Sequence, residues 1–142
     1  MSATPPVTTE LIHRLVPFSK FLEVTFSTLT TDRVVAQLPA RGELATIGAG
    51  VHGGAQMALA DIAAAVMAVL AGGDPTAAPA TMQSSTNFLR PARGDLTATA
   101  TVERAGRSTV IDVTITDEHD SVTALVRQIV QVRPSRQTSG PR

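Results

Sequence analysis

The sequence has no cysteine, which excludes a disulfide framework, a thiol nucleophile and any cysteine metal cluster at once. It also lacks an excess of charge of either sign: 12 Lys and Arg balance 12 Asp and Glu, for a formal net charge of zero. The field of the whole molecule therefore offers no attraction for nucleic acid or an anionic membrane. MSATPPVTTE at the start has no basic region followed by an apolar one, so no secretory signal is expected and a cytoplasmic location is the default. No membrane span is expected either. The one candidate stretch, Gly53 to Gly73, is interrupted by Gln56 and Asp61, and about ten apolar residues follow the aspartate, where a span needs roughly twenty. The histidines His13, His52 and His119 stand in unrelated contexts, so no metal site is expected.

What is present is a chain of 142 residues, one domain by size and small for an enclosed cleft of its own, so a site here is expected to be shared between subunits. Residues 1–8 and 133–142 are rich in Pro, Thr, Ser and Arg without apolar periodicity and read as flexible tails around a single domain at 9–132. Thr9 to Leu15 reads as a short helix entered from Thr8 or Thr9 and stopped by Pro17. Leu22, Val24 and Phe26, then Val34, Ala36 and Leu38, alternate with polar residues as a hairpin does. A Gly-rich connection over 39–52 leads to a long helix from Gly53. Four strands follow, at about Thr81 to Leu89, from Leu96, through Ile111 to Thr116, and at about Val122 to Val132. The order predicts an α+β fold in which an antiparallel sheet of about six strands, apolar on one face, wraps a long central helix.

That helix carries the chemistry. Met57, Leu59, Ile62, Val66, Met67, Val69 and Leu70 are spread around nearly its whole circumference, which predicts burial on most sides. Asp61 interrupts it, with Met57, Ala58, Ala64 and Ala65 at the positions a helical ion pair would use. A carboxylate so placed is either an acid/base group with a raised pKa or a structural aspartate holding a backbone N–H or a loop hydroxyl. At the helix start, the free N–H groups of Gly53, Gly54 and Ala55 can form an oxyanion-type site or simply an entry turn. Gly54 and Asp61 share a helical face but lie about 10 Å apart along the axis, too far to flank one carbonyl carbon. Two antiparallel helices across a two-fold axis would bring Gly54 of one subunit to Asp61 of the other.

GVHGGAQMALADIA at Gly50 to Ala63, with TNFLRPARGDLTATATVERAGRSTVIDVTITDEHDSVTAL at Thr86 to Leu125, resembles the hotdog-fold thioesterases of the phenylacetic-acid-degradation type, PaaI-like in kind. The likeness runs from about Pro17 to Val132. It implies a hotdog fold, a homodimer whose sheets join, pairing of dimers into tetramers, and hydrolysis of acyl-CoA thioesters. It puts the family carboxylate at Asp61, the carbonyl-polarising amide at Gly54 of the neighbouring subunit, and the motif histidine at His52. Thr81 or Ser84 matches a hydroxyl on the strand after the helix. Arg90 and Arg93 match the region near the coenzyme A phosphates, for which guanidinium groups are suited. An asparagine common in relatives is replaced by Thr46, and a loop glycine by Ala49.

The mechanism so implied docks the thioester carbonyl on the Gly54 N–H while Asp61 activates water or attacks directly. Met57, Ala58 and Met82 are the expected acyl-pocket residues. No cofactor is expected beyond the coenzyme A of the substrate. A noncatalytic acyl-CoA or acyl-carrier-protein binding module, and a hotdog hydratase or dehydratase, are the alternative readings.

Overall fold

The computed structural model describes residues 6–134. The chain opens with α1 (Thr9–Leu15), capped by the Thr8 hydroxyl, which accepts from the Leu11 N–H at 3.1 Å. Pro17 ends this helix, as expected, but it also starts a second one, α2 (Pro17–Phe21), which the sequence reading did not include. At a first helical position the missing proline N–H costs nothing, because that group has no intrahelical acceptor. Glu23, in the left-handed region at φ 61°, then reverses the chain. Leu22 and Val24 are buried, but they precede β1 (Thr25–Leu29) instead of opening it.

β2 (Arg33–Leu38), α3 (Gly53–Ala71), β3 (Ala78–Phe88), β4 (Leu96–Arg104), β5 (Ser108–Thr116) and β6 (Val122–Arg133) complete the order, with a 3-10 turn at Gly42–Leu44 in the Gly-rich connection. The six strands form one antiparallel sheet in the order β1-β2-β4-β5-β6-β3. This is the hotdog arrangement, a single long helix packed on a six-stranded antiparallel sheet. Thr8 caps α1 and Arg133 ends β6, so these elements reach just past 9–132. Of the two tails, 1–5 and 135–142 lie outside the described residues.

Strand alternation sets the core. Val34, Ala36, Leu38, Leu96, Ala98, Ala100, Ile111, Val113 and Ile115 face inward and are buried, while Thr97, Thr99, Asp112, Thr114 and Thr116 face out. Leu59, Ala60, Ala63, Ala64 and Met67 on α3 are buried in the same core. The alanines on both layers let helix and sheet approach closely, and each large apolar side chain buried there stabilises the fold by about 1.5–3 kcal/mol. By length and composition α3 would suffice to cross a membrane; in this fold one of its sides is packed on the sheet.

The other side of α3 corrects the sequence reading. Gly54, Met57 and Asp61, three and four residues apart, form an exposed stripe, and Val66, Val69 and Leu70 are only partly buried. The apolar circumference therefore does not enclose Asp61 within one chain.

Candidate active site

α3 begins at a tight junction. The His52 carbonyl accepts the N–H groups of Ala55 and Gln56, and its ring Nδ1 accepts the Gly54 N–H at 2.8 Å. Both glycines are tightly placed: a Cβ on Gly53 would lie 3.1 Å from the Phe88 ring, and one on Gly54 3.0 Å from His52 Nδ1, so a side chain at either requires its neighbour to give way. The Gly54 amide expected to face a carbonyl is thus engaged by its own cap. A carbonyl could reach that N–H only by displacing the His52 ring.

Buried Gln56 fastens this junction to the sheet. Its Oε1 accepts the Thr123 hydroxyl at 3.1 Å, and its Nε2 donates to the Val51 carbonyl at 3.3 Å. Sequence reading had treated Gln56 only as an interruption of an apolar run. A buried amide must be paired, so an amide two residues past the glycines was the available signal.

Two turns further along α3, Asp61 Oδ1 accepts the Thr81 hydroxyl at 2.7 Å. This contact comes from an irregularity in β3. The register with β6 shifts between Thr81 and Gln83, so Met82 is a bulge that turns Thr81 to the same face as Ser84. Without that extra residue strict alternation would point the two hydroxyls to opposite faces. Of the two candidate hydroxyls, Thr81 meets Asp61, and Ser84 instead accepts from Gln128 Nε2 at 3.0 Å. Gln128 is 1% exposed and also lies 3.4 Å from Thr81 Oγ1. It was missed, although a polar residue in phase with Val126 and Val130 on an inward face is a visible anomaly.

Thr46, Gly53, Gln56, Phe88, Arg90 and Arg93 are among the residues lining a cavity of about 420 Å³ beside the helix entry. Arg93 Nη1 donates to the Gly48 carbonyl at 2.9 Å, and its backbone N–H donates to Asp117. Burial works to raise the Asp117 pKa, but the N–H groups of His119, Ser121 and Arg93 outweigh it and hold the carboxyl below its ordinary value. Arg90 is exposed at the same rim. The Thr46 N–H donates to the Gly50 carbonyl at 2.8 Å, closing a tip on which Ala49 sits at φ 67°, where glycine is the unstrained residue.

Met57, Ala58 and Met82 do not line that cavity. Met57 and Met82 are 41% and 59% exposed, so any acyl pocket they form needs a second surface. His13 bonds the Val24 carbonyl and His119 sits beside Glu118. Among the described residues no group of three or more potential ligands gathers for a metal.

The fold is shared with solved proteins. A thioesterase from Haemophilus influenzae superposes with a TM-score of 0.83 at 22% identity, covering 98% of this chain and 99% of that one. The PaaI protein of the E. coli phenylacetic acid degradation operon gives 0.76 at 23% identity over 86% and 88%. AziG of S. sahachiroi gives 0.76 at 26% identity over 85% and 99%. No curated protein matches the chain. Residues 48–124, which run from the loop before His52 through Asp61, Thr81 and both rim arginines, match the model of the thioesterase superfamily. With more than half its length so matched, the chain belongs to the thioesterase superfamily.

Proposed function

We propose that the protein hydrolyses acyl-CoA thioesters as a homodimer, with each site built from the α3 entry of one subunit and Asp61 of the other. The observation that carries this is Asp61 itself: a carboxylate on the open side of a helix, one oxygen held by Thr81 and the other left to act. Beside it runs β3, an edge strand with no charged residue, suited to pairing with its own copy across a two-fold axis. Such pairing would set two α3 helices antiparallel, bringing the open stripe of one to the entry of the other.

In this reading the thioester carbonyl takes the Gly54 N–H from His52, and the helix dipole stabilises the negative charge that develops on its oxygen. Asp61 Oδ2 takes a proton from the attacking water or itself attacks the carbonyl carbon. Arg90 and Arg93 at the cavity rim meet the coenzyme A phosphates. Met57, Ala58 and Met82 close the acyl pocket against the second subunit. The engaged Gly54 N–H is the one observation favouring the alternative of a noncatalytic acyl-thioester binder.

Asp61→Asn separates the two. It preserves size and the bond from Thr81 while removing the proton acceptor. Thiol release from a panel of alkyl and aryl acyl-CoAs should fall in kcat by about 10²–10⁴ with binding retained. Near-wild-type turnover by the variant would overturn the assignment, and wild-type binding without turnover would favour the noncatalytic reading.

A further inference from the structure

A second inference, resting on the role given to Asp61 above, comes from counting protons around Gln128. The Thr81 hydroxyl has one proton and two acceptors facing it, Asp61 Oδ1 at 2.7 Å and Gln128 Oε1 at 3.4 Å. The nearer, charged acceptor takes it, which leaves Gln128 Oε1 against an oxygen with no proton to share. Rotating the amide by 180° keeps its shape and exchanges its oxygen and nitrogen. One Nε2 proton then goes to Thr81 Oγ1, Oε1 accepts the Ser84 hydroxyl, and no two acceptors are left facing each other.

We propose that Gln128 is a positioning residue for Asp61: its amide N–H, directed at Thr81, commits the Thr81 proton to the carboxylate and fixes the carboxylate's orientation. Burial explains why the amide can do this. Gln128 is 1% exposed, fixed between Val126 and Val130 on β6, and opposite Ser84 in register. The Met82 bulge is what brings Thr81 and Ser84 together onto that amide.

Few other charges face Asp61 within the chain. α3 and β3 have no other ionisable side chain. On β6, Arg127 is on the outer face, paired with Asp112 at 2.7 Å, and Arg133 ends the strand. The buried, inward positions of β2, β4 and β5 are apolar apart from Thr109, and none is ionisable. Asp74, in the turn between α3 and β3, accepts from Thr76.

The test uses the full-length protein and two readouts. In Gln128→Met, which keeps the volume but removes the amide, kcat on hexanoyl-CoA and benzoyl-CoA should fall about tenfold with KM unchanged. The side-chain carboxyl titration of Asp61, followed by carbon-13 NMR, should move to higher pH. Gln128→Glu, which can only accept and adds a like charge, should move it further. In a Thr81→Val background, Gln128→Met should cost nothing more, because the link is already cut. Ser84→Ala, on an exposed residue, loosens the same amide without disturbing the core and should give a smaller shift in the same direction. An equal loss with and without the Thr81 hydroxyl would overturn the proposal, as would an Asp61 titration unmoved in Gln128→Glu and Ser84→Ala. The titration is independent of turnover, so it decides the link even if Asp61→Asn remains active and the catalytic reading falls.

Discussion

β1 and β3 are both edges of one sheet, but β1 has five residues and β3 has eleven. β1 is further blunted by a register shift after Phe26, whose N–H donates to the Thr9 hydroxyl of α1 at 3.1 Å. Shortness, a bulge and a covering helix are ways a protein keeps an edge from pairing. β3 has a bulge too, at Met82, but that bulge serves Thr81, and the strand carries no lysine or other charge along its length. Apolar side chains cluster on that side: Met57, Met82, Phe88 and Leu89 are all at least 41% exposed. The same contrast runs along α3, whose closed side packs Leu59 and Met67 while its open side presents Gly54, Met57 and Asp61. One edge is finished within the chain, and the other is left open, as the proposed homodimer requires.

Charging each edge in turn should break the symmetry between them. Gln83→Glu with Ser85→Glu on β3 sets like charges against their own copies across a two-fold axis, at a cost of several kcal/mol. Dimer affinity should drop by about 10²–10³, and activity should drop with it, as read by sedimentation and thiol release. Thr25→Glu with Ser27→Glu on β1 should leave both unchanged. If the β1 pair dissociates the protein and the β3 pair does not, the edges have been assigned the wrong way round.

The two sides of α3 allow a sharper comparison with a single residue type. Met67 is fully buried, so Met67→Ala should lower stability by about 2–5 kcal/mol, seen as an earlier unfolding transition in denaturant. Met57→Ala should cost far less stability in the dissociated chain and should act instead on assembly and substrate preference. Equal destabilisation by the two would mean that the open side is as closed as the other.

A smaller effect is expected at the loop tip before α3. Ala49 at φ 67° is strained where glycine would not be. Ala49→Gly should change stability by at most about 1 kcal/mol, with relief of strain set against the extra freedom of glycine in the unfolded chain. A rise in melting temperature would show that strain dominates.

These contrasts also explain what was legible in the sequence. Period-two alternation at Val34, Ala36 and Leu38 and at Leu96, Ala98 and Ala100 placed strands correctly, because each has one apolar face. α2 was missed because Pro17 stops one helix and starts another with the same chemistry. The exposure of Asp61 was misjudged because a helix apolar all round looks the same whether both sides are buried in one chain or one awaits a second surface. The family resemblance brought Thr81 into consideration, but its meeting with Asp61 depends on the Met82 bulge, which leaves no mark in periodicity. Gln128 stood in plain phase with Val126 and Val130 and needed only to be weighed as a buried amide.

The shared site is the central claim, and subunit mixing tests it most directly. Asp61→Asn removes the carboxylate, and Gly54→Pro removes the amide donor in the first turn, where no intrahelical bond is lost and the His52 ring, freed of that N–H, can give way to the proline ring. Each homodimer alone should be inactive. After exchange, half the dimers are mixed and each has one intact site, so the account predicts recovery of about one quarter of wild-type activity. No recovery, with exchange demonstrated by native mass spectrometry, would contradict it.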